Sequence, residues 1–231
     1  MEDLRGLEKK SAEEIISWAD KKFKNKVALA CSFGAEDVVL IDLWAKINPK
    51  FRIFTLDTGR LPQETYNLME EMRKRYNLNI EFYFPDYHKV EEMLNKYGPN
   101  LFYESVELRK LCCNIRKVEP LNRALKDLSA WVCGLRREQS ITRQDIQKIE
   151  IDSAHNGIYK INPLADWKDA DVWNYIRENH VPYNALHDKG YPSIGCAPCT
   201  RAIKPGEDIR AGRWWWERPE TKECGLHCRN S

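Results

Sequence analysis

Apolar residues in the first half of the chain alternate between two spacings, and the alternation predicts β–α repeats. Behind a Ser11-Ala-Glu-Glu14 capping-box pattern, Ile15, Ile16, Trp18, Ala19 and Phe23 line one face of a helix. Val27-Ala-Leu-Ala-Cys31 then runs apolar without a break, as a buried strand does. Ser32-Phe-Gly-Ala-Glu-Asp37 opens a second helix, whose apolar side carries Val38, Val39, Ile41, Leu43 and Trp44. Phe51–Asp57 and Ile80–Phe84 repeat the strand signal. The helix after Pro62 carries Tyr66, Leu68, Met69 and Met72, and another covers His88 to about Tyr97. Strands of this kind separated by helices imply a parallel sheet covered on both faces, with ligands beyond the strand C-termini. On that reading Ser32–Gly34 and Asp57–Arg60 lie on one rim of the sheet.

After the Gly98-Pro-Asn100 break, Leu108, Leu111, Ile115 and Val118 return to helical spacing, and Pro120 starts or kinks a helix through Leu125 and Leu128. Ala130–Gly134 reads as a fourth strand, with Leu135-Arg-Arg-Glu-Gln-Ser140 at its C-terminal end. Ile146–Ile151, the Asn156-Gly157 turn and Tyr159–Ile161 suggest a β-hairpin. Asp169–Asn179 is a helix with Val172, Trp173 and Ile176 facing inward. From Val181 periodicity gives way to proline, glycine and aromatic residues. The expected organisation is an α/β domain over 1–195 and an irregular C-terminal arm over 196–231.

The 37 basic and 35 acidic residues leave a net charge of +2, so no broad polyanion-binding face is expected and any basic site must be local. No run approaches the ~18 apolar residues of a membrane span, and Met1-Glu-Asp-Leu-Arg5 carries no hydrophobic signal core. These features point to a cytoplasmic protein with neither a nucleic acid nor a membrane as partner. Self-association is not readable from the chain.

Eight cysteines in a cytoplasmic protein argue for metal or redox chemistry over a disulfide framework. Cys31 and Cys133 sit in apolar strands and read as buried hydrophobes. Cys112-Cys113 and Cys196-Ala-Pro-Cys199 are two tight pairs far apart in sequence, which favours a shared metal site. Neighbouring side chains on a helix diverge by ~100°. Aiming both at one zinc ion therefore demands a distorted backbone, whereas a cubane iron–sulfur cluster spreads its ligand positions over several irons. Lys117, one turn after Cys113, can lie near such a site and near an anionic ligand; Arg116 reads as a surface or hydrogen-bonding residue. The Trp214–Trp216 run reads as packing for the arm.

The tail Lys222-Glu-Cys-Gly-Leu-His-Cys228 places a thiol beside cationic groups near the chain end, as a reactive nucleophile requires. Cys228 is either a resolving thiol or an incidental one.

Together, Ser32–Asp37, Leu56-Asp-Thr-Gly-Arg60, Cys112-Cys113 with Arg116-Lys117, and Gly134-Leu-Arg136-Arg-Glu-Gln-Ser140 form one motif set. Cys196-Ala-Pro-Cys199, Arg210-Ala-Gly-Arg213-Trp-Trp-Trp-Glu217 and Glu223-Cys224-Gly-Leu-His227 complete it. The set, spread over about residues 27–228, resembles that of the assimilatory adenylylsulfate reductases, which are related to the phosphoadenylylsulfate reductases. The resemblance implies an adenine nucleotide alpha-hydrolase-like fold of the ATP-pyrophosphatase type. It implies a [4Fe–4S] cluster on Cys112, Cys113, Cys196 and Cys199, and conversion of adenylylsulfate to sulfite and AMP with thioredoxin or a similar dithiol as donor. Cys224 becomes the sulfonated nucleophile, with His227, Lys117, Arg210 and Arg213 stabilising charge. Ser32, Phe33, Gly34, Leu56, Gly134 and Arg136 line the nucleotide site, the choice between Arg136 and Arg137 staying open. Phosphoadenylylsulfate remains the alternative substrate. A zinc-stabilised nucleotide-binding protein and an RNA-sulfur-modifying enzyme are the rival functions, and the second fits poorly with the small net charge.

Overall fold

The computed structural model describes residues 4–140, 143–218, 221–222 and 225–226. The first helix, α1 (Ala12–Phe23), starts where its capping box predicts. Ser11 Oγ accepts from the Glu14 N–H at 3.2 Å, and the Glu14 carboxylate accepts from the Ser11 N–H at 2.9 Å.

The strands are β1 (Val27–Ala30), β2 (Arg52–Leu56), β3 (Ile80–Tyr83), β4 (Ala130–Val132), β5 (Ile149–Asp152) and β6 (Ile158–Ile161), in the sheet order β3-β2-β1-β4-β6-β5. β1 pairs in parallel with β2 (Leu29 opposite Ile53) and with β4 (Leu29 opposite Val132), and β4 pairs in parallel with β6. β5 and β6 form the predicted antiparallel hairpin, with Asn156 and Gly157 both at positive φ in its turn. The central strands bury both faces, which is why they lack an apolar–polar alternation. The remaining helices are α2 (Ala35–Ile47), α3 (Gln63–Tyr76), α4 (Tyr87–Tyr97), α5 (Val106–Cys113), α6 (Glu119–Leu125) and α7 (Asp169–Glu178).

The chain divides into two compact units. The first comprises Met1–Thr55, Gln63–Glu81 and Asp127–Ala185; the second comprises Leu56–Pro62, Phe82–Lys126 and Leu186–Ser231. The division differs from the expected boundary at 195/196, because Leu56–Pro62 and Phe82–Lys126 group with the C-terminal region. Helical periodicity cannot reveal such a grouping, since it reports which face of a helix is buried and not against what.

In the first unit α2 packs against α1 and α7. Its Val38, Val39, Leu40, Ile41 and Trp44 are fully buried, and the Trp44 indole donates to Asp20 at 3.0 Å. The start of α2 also lies against the chain leaving β4. A Cβ on Gly134 would stand 2.6 Å from Asp37 Oδ1 and 2.7 Å from Glu36 Cβ, closer than side-chain atoms pack. The close approach at this glycine is that of the helix itself.

In the second unit α5 leads into a π-helical turn over Asn114–Val118 and then α6. The widening has a covalent cause downstream. Pro120 has no N–H for the Arg116 carbonyl and its ring would strike it, and a wider turn relieves both problems. The tandem cysteines themselves lie on regular helix: Cys113 has φ −65°, ψ −37°, and the π turn begins at the next residue.

Substituting Gly134→Ala is expected to destabilise the fold by about 1–3 kcal/mol, the usual cost of overpacking a dense contact. Urea unfolding of the variant beside the wild type measures it.

Candidate functional site

Two places in the fold concentrate chemistry, and each belongs to one unit. In the first unit the turn between β1 and α2 holds Ser32, Phe33 and Gly34. Phe33 adopts φ 59° while 1 % exposed, a left-handed conformation that costs a bulky residue energy and tends to persist at functional turns. Gly34 is the N-cap of α2 and offers no side-chain bond to it.

A strand-to-helix turn leaves backbone N–H groups pointing outward, and here an internal carboxylate accepts from one of them. Asp37, 6 % exposed, accepts from the Ser32 N–H at 2.6 Å and from the Ser32 hydroxyl at 2.7 Å. Burial pushes its carboxyl up to about 6, against the lowering effect of the Ser32 bonds. Sequence reasoning quoted Asp37 as part of the turn motif but gave it no role; an acid in the first turn of a helix was the signal available.

Arg136 is 1 % exposed and surrounded by acids: Nε donates to Glu36 at 2.8 Å, Nη2 to Asp169 at 3.0 Å and Nη1 to Glu138 at 3.3 Å. Arg137 is committed to Glu8 and, at 2.9 Å, to the Ile146 carbonyl. Of the two, Arg136 has a donor near the turn through Glu36, and its pairing to three carboxylates makes it a holder of α2 and α7 as well.

The second site is a pocket in the second unit. Cys112, Cys113, Cys196 and Cys199 line it, each 7–8 % exposed and free of disulfide bonds. The helix through Cys113 carries two of them. The short 3-10 turn Ala197–Cys199 and its Cys196 cap carry the others, anchored by the Ala197 N–H donating to the Arg60 carbonyl at 2.8 Å. Phe102 and Trp214 form apolar walls; Arg60, Arg109, Arg116 and Lys117 supply cations. Cys112 with Arg116 and Cys113 with Lys117 are each four residues apart, so helix geometry brings every thiol–cation pair to one face.

Electrostatics differ among the thiols. Desolvation pushes Cys196 up, but Lys117, the Thr58 hydroxyl at 3.2 Å, Arg213 and Arg116 outweigh it and leave the thiol below its ordinary range. Desolvation and the neighbouring Cys196 push Cys199 up to about 12. Burial also raises Cys112. Cys31 and Cys133 are buried at 4 % and 3 %, as their strand positions predicted.

Arg116 resolves to a buried hydrogen-bonding residue, with Nη1 donating to the Thr58 carbonyl at 2.6 Å. Its Nε and the Trp214 Nε1 are buried donors with no hydrogen-bond partner among the described residues. Arg213 lies 4.7 Å from the Trp214 ring centre and donates toward Ser193 and Ile194 at 3.4 Å. Arg210 reaches the Lys222 carbonyl at 3.0 Å. Leu56 ends β2, half-buried, immediately before the buried Asp57 and Thr58. Cys224, His227 and Cys228 lie outside the described residues. Trp214 packs at 1 % exposure, as expected, whereas Trp215 is 39 % exposed.

Sequence reasoning missed Arg60 and Arg109 as pocket residues, and Thr58 as the partner of Cys196 and Arg116 behind them. Arg109 was findable, because it precedes Cys112 by three residues and Cys113 by four on one helix.

Among the described residues no group of three or more His, Cys, Asp or Glu side chains is arranged to hold a metal ion. A cubane cluster asks less convergence of its ligands, since each thiolate binds its own iron. The four thiols, the cationic lining and the partnerless Trp214 and Arg116 donors suit a bound group that is anionic and accepts hydrogen bonds.

The mostly parallel sheet with flanking helices is that of the adenine nucleotide alpha-hydrolase-like proteins. A phosphoadenylyl-sulfate reductase from Candida auris superposes with a TM-score of 0.72 at 31% identity, over 86% of this chain and 93% of that one. An FMN adenylyltransferase from Candida glabrata shares the fold alone, with a TM-score of 0.56 at 17% identity over 92% and 74%. Residues 26–202 match the phosphoadenosine phosphosulfate reductase domain. The adenosine 5′-phosphosulfate reductase of Allochromatium vinosum is 54% identical over 219 residues, 95% of this chain and 85% of that protein. That of Burkholderia cepacia is 56% identical over 203 residues, 88% and 81% of the two chains. The chain belongs to the adenosine 5′-phosphosulfate reductase family.

Asp37 carries a pH signature. Its raised value means that the folded state keeps a proton which the unfolded chain releases, so folded stability falls as pH rises from the ordinary value of 3.8 to about 6. Asp37→Asn removes this penalty while keeping an acceptor for Ser32. The stability of the variant relative to wild type is expected to rise by roughly 2 kcal/mol between pH 4 and pH 7, read by urea unfolding across that range.

Proposed function

We propose that the protein reduces adenylylsulfate to sulfite and AMP in assimilatory sulfate reduction, through an S-sulfonate on Cys224. The observation that carries the reading is the pocket of four free, buried cysteines among cations, in a chain more than half identical to adenosine 5′-phosphosulfate reductases.

The chemistry balances as follows. The Cys224 thiolate attacks the sulfur of the phosphoric–sulfuric anhydride, an S–S bond forms, the S–O bond breaks, and AMP leaves with the electron pair. A thiolate of a dithiol such as thioredoxin then attacks the Cys224 sulfur and expels sulfite. The donor's second thiol resolves the mixed disulfide, so two electrons come from the donor and Cys224 returns as a thiol.

Nucleophile and substrate are both anionic, and cations must screen them. Lys117, Arg210, Arg213 and His227 take this role. Ser32, Phe33, Gly34, Leu56 and Gly134 line the nucleotide site, and Arg136 holds the first turn of α2 in place through Glu36. Cys112, Cys113, Cys196 and Cys199 would hold a [4Fe–4S] cluster, whose charge the lining cations balance. When bound, the cluster supplies a fixed anionic centre that orders the pocket and tunes Lys117, leaving electron transfer to thiols. No helix among the described residues is long and apolar enough to cross a membrane. The cytoplasm, where thioredoxin is reduced, is the compartment that suits this reaction.

Protein purified without oxygen is expected to be brown, with about four irons and four acid-labile sulfides per chain. A colourless protein with stoichiometric zinc overturns the cluster. Sulfite release from adenylylsulfate and phosphoadenylylsulfate, measured side by side, is expected to favour the former. Cys224→Ser is expected to abolish it, and a variant that still turned over would sink the S-sulfonate route.

A further inference from the structure

Arg109 has no place in the reaction as written, yet it is the most completely buried charge in the second unit. Its exposure is 0 %, and it sits on α5 on the face that carries Cys112 and Cys113. Nε and Nη2 each donate to one oxygen of Glu217 at 2.7 Å, and the Glu217 side chain is itself 2 % exposed. Nη2 also donates to the Thr221 carbonyl at 2.6 Å, while the Thr221 hydroxyl donates to Glu217 at 3.0 Å. The guanidinium lies 4.7 Å from the Trp214 ring centre, and it hydrogen-bonds the Cys113 thiol.

One planar group thus touches a cysteine of the pocket, the first tryptophan of the arm, a buried acid and a backbone carbonyl close to the tail. A forked guanidinium–carboxylate pair is directional, so it fixes orientation as well as distance. Thr221 stands three residues before Cys224, and three residues of extended chain reach at most about 10 Å. Whatever fixes the Thr221 carbonyl limits where the nucleophile can go.

We propose that Arg109 is a positioning residue, which from the helix of Cys112 and Cys113 clasps Glu217 and Thr221 and so sets where the chain delivers Cys224. It touches no reacting atom. The inference rests on Cys224 being the sulfonated nucleophile. It adds that the cysteine helix and the tail are mechanically joined through one side chain.

The test uses the full chain with iron content measured for every preparation, comparing wild type with Arg109→Gln, Arg109→Lys and Glu217→Gln. Three quantities are read: single-turnover formation of the Cys224 S-sulfonate by mass spectrometry, KM for adenylylsulfate, and the rate at which iodoacetamide alkylates Cys224 without substrate. Arg109→Gln is expected to slow sulfonation about 100-fold, as a misplaced nucleophile does, with KM within about twofold and iron retained. Alkylation is expected to accelerate about tenfold as the clasp opens, with Glu217→Gln behaving alike and Arg109→Lys, which keeps the charge without the fork, falling between. Arg109→Lys and Glu217→Gln carry the test if Arg109→Gln does not fold. Variants that retain iron and match wild type in both sulfonation and alkylation overturn the proposal, as do defects that scale with iron loss alone. A wild type that forms no S-sulfonate refutes the reaction instead, and the alkylation rates still decide the clasp.

Discussion

A guanidinium taken out of water must find acceptors inside the protein or lose several kcal/mol. Among its described residues the second unit buries three of them: Arg109, Arg116 and Arg213. Each bonds a different stretch of chain. Arg109 takes Glu217 and Thr221, Arg116 takes the Thr58 carbonyl, and Arg213 reaches Ser193 and Ile194. An irregular arm without periodicity has few backbone ladders to define it, and these charged bonds supply the definition. They also surround four thiols with positive charge, which helps account for a buried Cys196 whose proton is held less tightly than that of an ordinary thiol.

The first unit meets a related constraint with the opposite sign. Its turn after β1 has backbone N–H groups to satisfy, and Asp37 provides an acceptor from within. Burial raises this carboxyl to about 6, although the Ser32 bonds act to lower it. Gly134 is small because α2 must come close enough for Asp37 to reach that turn. The buried Phe33 with positive φ completes a turn whose shape is determined by packing on every side.

The π-helical turn after Cys113 links covalent structure to the pocket. Pro120 is harmless to the apolar spacing of Leu108, Leu111 and Ile115, and its effect falls on the backbone between Asn114 and Val118. That segment carries Arg116 and Lys117, the two cations that share a face with the tandem cysteines.

Much was legible in the residues alone. The capping box at Ser11, the uninterrupted apolar strands, the Asn156-Gly157 hairpin and the paired cysteines all express local rules, because backbone conformation and burial of a strand depend on near neighbours. The spacing of Cys112-Cys113 and Cys196–Cys199 also announced a shared site, since thiols so placed have few other uses. Tertiary structure decided what those local rules leave open. It joined Leu56–Pro62 and Phe82–Lys126 to the C-terminal arm, directed Asp37 into its own turn, and sent Arg136 to three carboxylates. It placed Arg109 between a cysteine helix and Glu217, 108 residues away along the chain. The physical reason is the same in each case: a buried charge is satisfied by whichever acceptor packing brings near, and sequence separation carries no record of that distance.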